Sequence, residues 1–155
     1  DRIVPSELLI AMYKSGLRGR KSGGGFYLTL EAAKVGQIAP RVMELIRARQ
    51  RASICFSEEQ IQRRLILPML LEATRALQES LVVSPMTIDT ALRDGLGMTS
   101  LYRGLFGWAD SIGAATIIEW LGPLESLGKR FEPTELLRAA ARNKHRIGEQ
   151  GSRAA

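Results

Sequence analysis

Behind Ser57 the chain places apolar residues at four-residue steps, at Ile61, Leu65, Met69, Ala73, Leu77 and Leu81, with Ile66 and Leu70 beside them. Such spacing predicts a long amphipathic α-helix running from Ser57 to about Leu81. Ser57 and Gln60 have the spacing of a capping box, in which hydroxyl and amide satisfy the first backbone donors. Pro68 lies inside the run, lacks an N–H and predicts a kink there. A helix this long with one apolar stripe needs other elements to cover it, which points to a helical bundle.

The flanking sequence supplies those elements. Residues 5–15 read as a short helix with Leu8, Leu9, Met12 and Tyr13 on its apolar side. Residues 40–50 read as another, opened by Pro40, with Val42, Leu45 and Ile46 facing inward. Ser84-Pro85 is a strong helix start, because serine caps and proline suits the first turn. That helix carries Ile88, Ala91 and Leu92 and ends near Gly95, before a glycine-punctuated turn over 95–104. Helices over about 104–111 and 113–126 follow, and Pro133 opens the last one. A short extended piece at 25–30 follows a glycine-rich loop, and residues 148–155 are small and polar, as in a frayed tail. The expected fold is all-α, with six or seven helices.

Pro5-Ser6-Glu7-Leu8-Leu9 returns 128 residues later as Pro133-Thr134-Glu135-Leu136-Leu137, with Ala11 and Ala139 continuing the match. Pro, Ser or Thr, and Glu also make a common helix start, so chance and a tandem structural unit both account for it. On the tandem reading, the chain begins on the last helix of one unit and ends on the last helix of a second. The chain starts with Asp1-Arg2 and has no initiator Met or signal-peptide pattern, so an excised fragment or a processed chain is expected.

At 155 residues with 45% hydrophobic content, the chain can bury a core without a metal or disulfide staple. No apolar run is long enough for a membrane span. The single Cys55 makes an internal disulfide impossible and fits a reducing, cytoplasmic compartment. The net charge of +6 is uneven: residues 1–56 carry +6, residues 57–128 carry −4 and residues 129–155 carry +4. Basic ends could meet nucleic acid, an anionic cofactor or an acidic partner, or could be solvated faces.

Catalytic groups are sparse. His145 is the only histidine and has no placed partner, so a solvated surface role is expected and no metal site is implied. Cys55 reads as an inert, partly buried thiol. Glu72, Glu79, Asp89 and Asp94 fall on separate helix faces, where salt bridges and caps explain them better than paired acid–base work. The loop Arg20-Lys21-Ser22-Gly23-Gly24-Gly25 could gather backbone amides and cations around a phosphate, or could be a plain turn. It lacks the Gly-Lys-Ser/Thr ending of a P-loop and the βαβ context of a dinucleotide fingerprint. No basic second helix suggests a helix-turn-helix, so nucleic acid is not an expected partner.

Ala11-Met12-Tyr13-Lys14-Ser15-Gly16 and Gly19-Arg20-Lys21-Ser22-Gly23-Gly24-Gly25-Phe26-Tyr27 resemble the end of the C-terminal domain of L-3-hydroxyacyl-CoA dehydrogenases. Arg64-Leu65-Ile66-Leu67-Pro68 with Glu72-Ala73 then resembles the opening of another copy. Pro85, Ile88-Asp89, Ala91-Leu92 and Gly95-Leu96-Gly97 continue it, as do Trp108-Ala109-Asp110-Ser111-Ile112-Gly113 and Arg130-Phe131-Glu132-Pro133. The resemblance covers most of residues 5–141 and implies a helical bundle of the 6-phosphogluconate-dehydrogenase C-terminal type. The organisation it implies is a tail of a preceding repeat at 1–30, a connecting helix at 31–56, a second helical repeat at 57–147 and the tail at 148–155.

The tandem arrangement is similar to the large fatty-acid-oxidation multienzymes. The family oxidises 3-hydroxyacyl-CoA with NAD, and its catalytic His and Glu lie in a nucleotide-binding domain outside this sequence. The resemblance therefore implies no catalytic residue and no cofactor here, and no activity of the chain alone. It implies a packing role that completes a substrate cleft or mimics a dimer partner. Implied partners are the preceding NAD-binding and first helical domains, acyl-CoA, and a second copy through helical faces. Arg18, Arg20 and Lys21 are candidate contacts for CoA phosphates. Alternatives are a stand-alone CoA- or anion-binding module and a nucleic-acid-binding helical module. The sequence departs from the family at Arg63, where a supporting Asn stands, and at Met98-Thr99 and Arg103-Gly104.

Overall fold

The computed structural model describes residues 4–28, 36–50, 54–97 and 104–147. Seven α-helices occur among them: α1 Glu7–Lys14, α2 Pro40–Arg47, α3 Glu58–Gln78, α4 Pro85–Leu96, α5 Gly104–Ile112, α6 Ala114–Leu121 and α7 Glu135–Asn143. The described residues contain no strand, only isolated bridges at Gly19–Gly24 and Tyr27–Ile38, so the all-α expectation holds. The second bridge accounts for the extended character expected after Gly25. Residues 29–35, the turn over 98–103 with Met98-Thr99 and Arg103, and the tail at 148–155 lie outside the described residues. No helix among the described residues is long and apolar enough to cross a membrane.

The chain divides into two compact units, Ile3–Cys55 and Phe56–Ala155. In the first, α1 and α2 bury Met12, Ala39 and Val42, with Leu8, Leu17, Leu45 and Ile46 packed around them. Leu9 and Tyr13, expected on the buried side of α1, are instead exposed. Within its unit this eight-residue helix packs on α2 along one narrow face, and Met12 fills it.

The second unit is built on α3. The capping box forms as expected: the Gln60 N–H donates to Ser57 Oγ at 3.2 Å, and the Ser57 N–H donates to Gln60 Oε1 at 3.0 Å. The helix runs through Pro68 as one element. Its buried face is not the four-residue stripe. Ile61 is 47% and Leu65 64% exposed, and Leu81 lies beyond the helix and is 73% exposed. The fully buried positions are Leu67, Leu70, Leu71 and Thr74. At 3.6 residues per turn, each four-residue step rotates about 40° further round the axis. Six residues so spaced spiral off any one face, whereas steps of three and four hold it. Only the middle of the stripe, Met69, Ala73 and Leu77, reaches the core.

Leu105, Phe106 and Ala109 of α5, Ile117 and Leu121 of α6, and Leu137 and Ala140 of α7 close the core over α3, with Phe131 and Ile147. Ser84 caps α4 by accepting the Thr87 N–H at 3.2 Å, and Gly97 ends it in the left-handed conformation. The expected helix over 113–126 stops at Leu121 and tightens into a 3-10 turn, Gly122–Leu127. Pro123 has no N–H to continue the α ladder. Cys55 is exposed rather than partly buried, because it precedes the α3 cap in a segment where Ile54 and Phe56 are also exposed.

Candidate functional site

The glycine-rich loop begins where α1 ends. Arg20–Ser22 form one 3-10 turn between Gly19 and Gly23, both at positive φ. Gly19 and Gly24 exchange backbone hydrogen bonds of 2.8 and 3.2 Å, and the Ser22 N–H donates to the Gly19 carbonyl at 3.0 Å. Ser22 Oγ accepts the Arg18 N–H at 3.0 Å and donates to the Gly19 carbonyl at 2.9 Å. A Cβ on Gly25 would lie 3.0 Å from the Gly19 Cα, so the two chain segments approach too closely for a side chain. The amides of Gly19, Ser22, Gly23 and Gly24 are therefore committed within the loop. These four donors are thus not available to an anion.

Arg18, Arg20 and Lys21 all face solvent. The Arg18 guanidinium stacks over the Tyr13 ring, 4.4 Å from its centroid. A groove of about 440 Å³ adjoins it, lined by Leu9, Met12, Tyr13, Leu17, Arg18 and Phe26, with Gly19 and Gly25 in its wall. The turn is neither preceded by a strand nor followed directly by a helix among the described residues. These residues therefore do not fit NAD in the manner of a dinucleotide-binding fold.

In the second unit, His145 is exposed and lines a cleft of about 270 Å³ between α6 and α7, with Lys144, Arg146 and Asp110. Asp110 Oδ1 accepts the Ile147 N–H at 2.6 Å, which ties the chain after α7 to α5. Among the described residues no group of three or more His, Cys, Asp or Glu could hold a metal ion. The carboxylates do structural work. Glu72 pairs with Arg75 at 2.7 Å and Asp94 with Arg93 at 3.0 Å. Asp89 of α4 accepts the Phe106 N–H at 3.2 Å and so caps α5 from outside. Burial pushes its carboxyl above the ordinary value of 3.8; hydrogen bonds from the Phe106, Leu105 and Gly107 backbone pull it down, and the Asp110 charge adds to the rise.

Arg63 stacks over Trp120 at 4.1 Å from the ring centroid and pairs with Glu59. Its Nε is buried with no hydrogen-bond partner. Arg75 reaches the Glu132 carbonyl at 2.9 Å and the Lys129 carbonyl at 3.3 Å, pinning the segment before α7 to α3. Neither link has a local sequence signal, because each joins residues more than fifty positions apart.

The two helices of the repeated Pro-Ser/Thr-Glu-Leu-Leu motif end alike. Met12 and Ala140 are both buried. Gly16 at φ 77° and Lys144 at φ 54° are both left-handed. The Leu17 N–H donates to the Met12 carbonyl at 2.9 Å, and the His145 N–H to the Ala140 carbonyl at 3.2 Å. Each pair of counterparts is separated by the 128 positions that separate the motifs. This is the hydrogen-bond closure of a Schellman-type helix end.

A sequence model of the family described as 3-hydroxyacyl-CoA dehydrogenase, C-terminal domain, matches residues 61–153. The match takes in more than half of the chain and nearly all of the unit built on α3. With its all-α architecture, this places the chain in the family of 3-hydroxyacyl-CoA dehydrogenase C-terminal domains.

Proposed function

We propose that this chain is the C-terminal helical region of an NAD-dependent 3-hydroxyacyl-CoA dehydrogenase acting in fatty-acid β-oxidation in the cytoplasm. In this reading, residues 57–147 are a second helical copy and residues 1–30 the tail of a first. Residues 31–56 connect them, and residues 148–155 trail behind. The observation that carries it is the shared helix ending: buried residue, left-handed residue and closing hydrogen bond recur at the offset of the sequence motif. Chance repetition of five residues does not require the following turn to repeat as well.

The role of the region is packing. It completes the substrate cleft or stands in for a dimer partner of the preceding copy. Arg63, tied to Trp120 and Glu59, supports a non-catalytic second copy, since the position is filled by a held cation. NAD and the catalytic His and Glu belong to a preceding nucleotide-binding domain. The chain alone, given NADH and a 3-ketoacyl-CoA, is expected to turn over nothing; measurable NADH oxidation would overturn the reading.

A second reading is favoured by the groove beside Arg18: this end also contacts an anion through Arg18, Arg20 and Lys21, as the phosphates of CoA would require. An Arg20→Ala, Lys21→Ala double variant should bind CoA more weakly. Unchanged affinity would remove this contact without touching the packing role.

A further inference from the structure

The cleft between α6 and α7 in the second unit has a wall and a rim of different character. Ala114, Ala115, Ala140 and Ala141 give it an apolar wall. Lys144, His145 and Arg146 give it a basic rim, and all three are exposed. The left-handed residue Lys144, at φ 54°, turns these consecutive residues back toward the start of α6. Arg146 has a further interaction of its own, so recognition rests first on Lys144 and His145. Ala114 and Ala115 are also the first residues of α6, which has no side-chain cap. Their N–H groups have no intrahelical acceptor and lie at the positive end of the helix. The one carboxylate in the lining, Asp110, accepts the Ile147 N–H at 2.6 Å.

From these features we infer that the cleft binds a short-chain dicarboxylate, in the size class of succinate and glutarate. One carboxylate meets the start of α6, the other meets Lys144 and His145, and the methylene chain lies on the alanine wall. Size favours a small anion: about 270 Å³ falls below the roughly 300–1,000 Å³ of sites for drug-sized ligands. The wall decides between a carboxylate and inorganic phosphate. Phosphate is oxygen on every side and would turn some of it, unpaired, to alanine methyl groups. A methylene chain on the same wall removes apolar area from water. Charge sets the number of carboxylates. Lys144 and Arg146 outweigh Asp110, and the open start of α6 adds to the excess, so a single carboxylate leaves positive charge unmatched. The site shares no residue with the anion contact proposed for the first unit. Because its rim is exposed, binding weakens with salt.

The test is calorimetric titration of the full chain at low salt with succinate, glutarate, butyrate and inorganic phosphate. Succinate or glutarate is expected to bind more tightly than butyrate or phosphate. A Lys144→Gln, His145→Gln variant should weaken the dicarboxylate about tenfold, as the loss of two exposed charged contacts. Ala115→Leu, at an exposed wall position, fills the cleft without changing a charge and should abolish binding. Arg138→Gln removes an exposed cation of α7 outside the cleft and should leave binding unchanged. Circular dichroism checks folding, and if Ala115→Leu loses helix content, Ala115→Val carries the same expectation in weaker form. No binding of either dicarboxylate, or binding no tighter than that of butyrate or phosphate, would overturn the inference. So would a dicarboxylate affinity indifferent to the wall variant, or one lowered as much by Arg138→Gln as by the Lys144/His145 variant.

Discussion

Thr134 Oγ1 donates to Thr74 Oγ1 at 2.9 Å, with both side chains buried. Thr74 Oγ1 in turn donates a hydrogen bond to the Leu71 carbonyl at 2.8 Å, and Thr134 Oγ1 accepts the Leu137 N–H at 3.3 Å. Three bonds thus run from the backbone of α3 to the first turn of α7 with each hydroxyl used. Thr74→Val keeps the shape but strands the Thr134 hydroxyl in the core. It should cost about 1–3 kcal/mol, the usual range for a buried polar group left unpaired. Thr134→Ala also removes the α7 cap and should cost a similar amount. A double-mutant cycle on thermal unfolding should show coupling between them; simple additivity would mean the relay is not formed.

The left-handed residue after α7 offers a second check. Lys144 adopts a backbone conformation that strains residues with a Cβ, whereas its counterpart is Gly16. Lys144→Gly should stabilise the second unit by about 0.5–1 kcal/mol, and Gly16→Ala should destabilise the first by about 1 kcal/mol. A Lys144→Gly variant melting below the parent would show that this helix end is not closed as described.

Asp89 gives stability a pH dependence. Its carboxyl is raised in the folded state by burial, so the folded chain binds that proton more tightly than the unfolded one. Its contribution is fully present below the ordinary value of 3.8 and is lost as pH rises through the raised folded value. Asp89→Asn keeps an oxygen for the Phe106 N–H and removes the charge, so this part of the pH dependence should vanish. Melting curves from pH 3 upward compare the two proteins, and identical slopes would acquit the Asp89 charge. Gly104→Ala should be far more harmful, because its Cβ would sit 2.3 Å from the Asp89 carboxyl carbon at a φ of 75°.

The face of α3 can be tested by contrast. Leu70→Ala should cost about 2–5 kcal/mol, as a large-to-small change in a packed core. Leu65→Ala should stay within about 0.5–1 kcal/mol, since the side chain is largely in solvent. Equal losses at the two positions would restore the four-residue stripe as the buried face.

That contrast marks where the sequence could be read and where it could not. Helix starts were legible because caps are local: Ser57 with Gln60, and Ser84 with Pro85, hold all the chemistry they need within four residues. The expectation of six or seven helices followed from apolar spacing and such starts, and seven occur among the described residues. The buried side of α3 was legible only in part: Ile66, Met69, Leu70, Ala73 and Leu77 reach the core, whereas Leu67, Leu71 and Thr74 are selected by elements distant in the chain. The candidate anion site was half legible. Its cations show in the sequence, but the commitment of the Gly19, Ser22, Gly23 and Gly24 amides within the loop and the pairing of Tyr13 with Arg18 appear only once the chain is folded.

Arg63 carries one more implication. Its guanidinium lies on Trp120, its charge is met by Glu59, and its Nε is sealed from water. Exchanging it for Asn would therefore not leave its surroundings unchanged. It would bare an indole face and leave Glu59 without this partner. The stack thus ties three side chains from two distant helices into one arrangement, so a change at Arg63 is felt at Trp120 and Glu59 together.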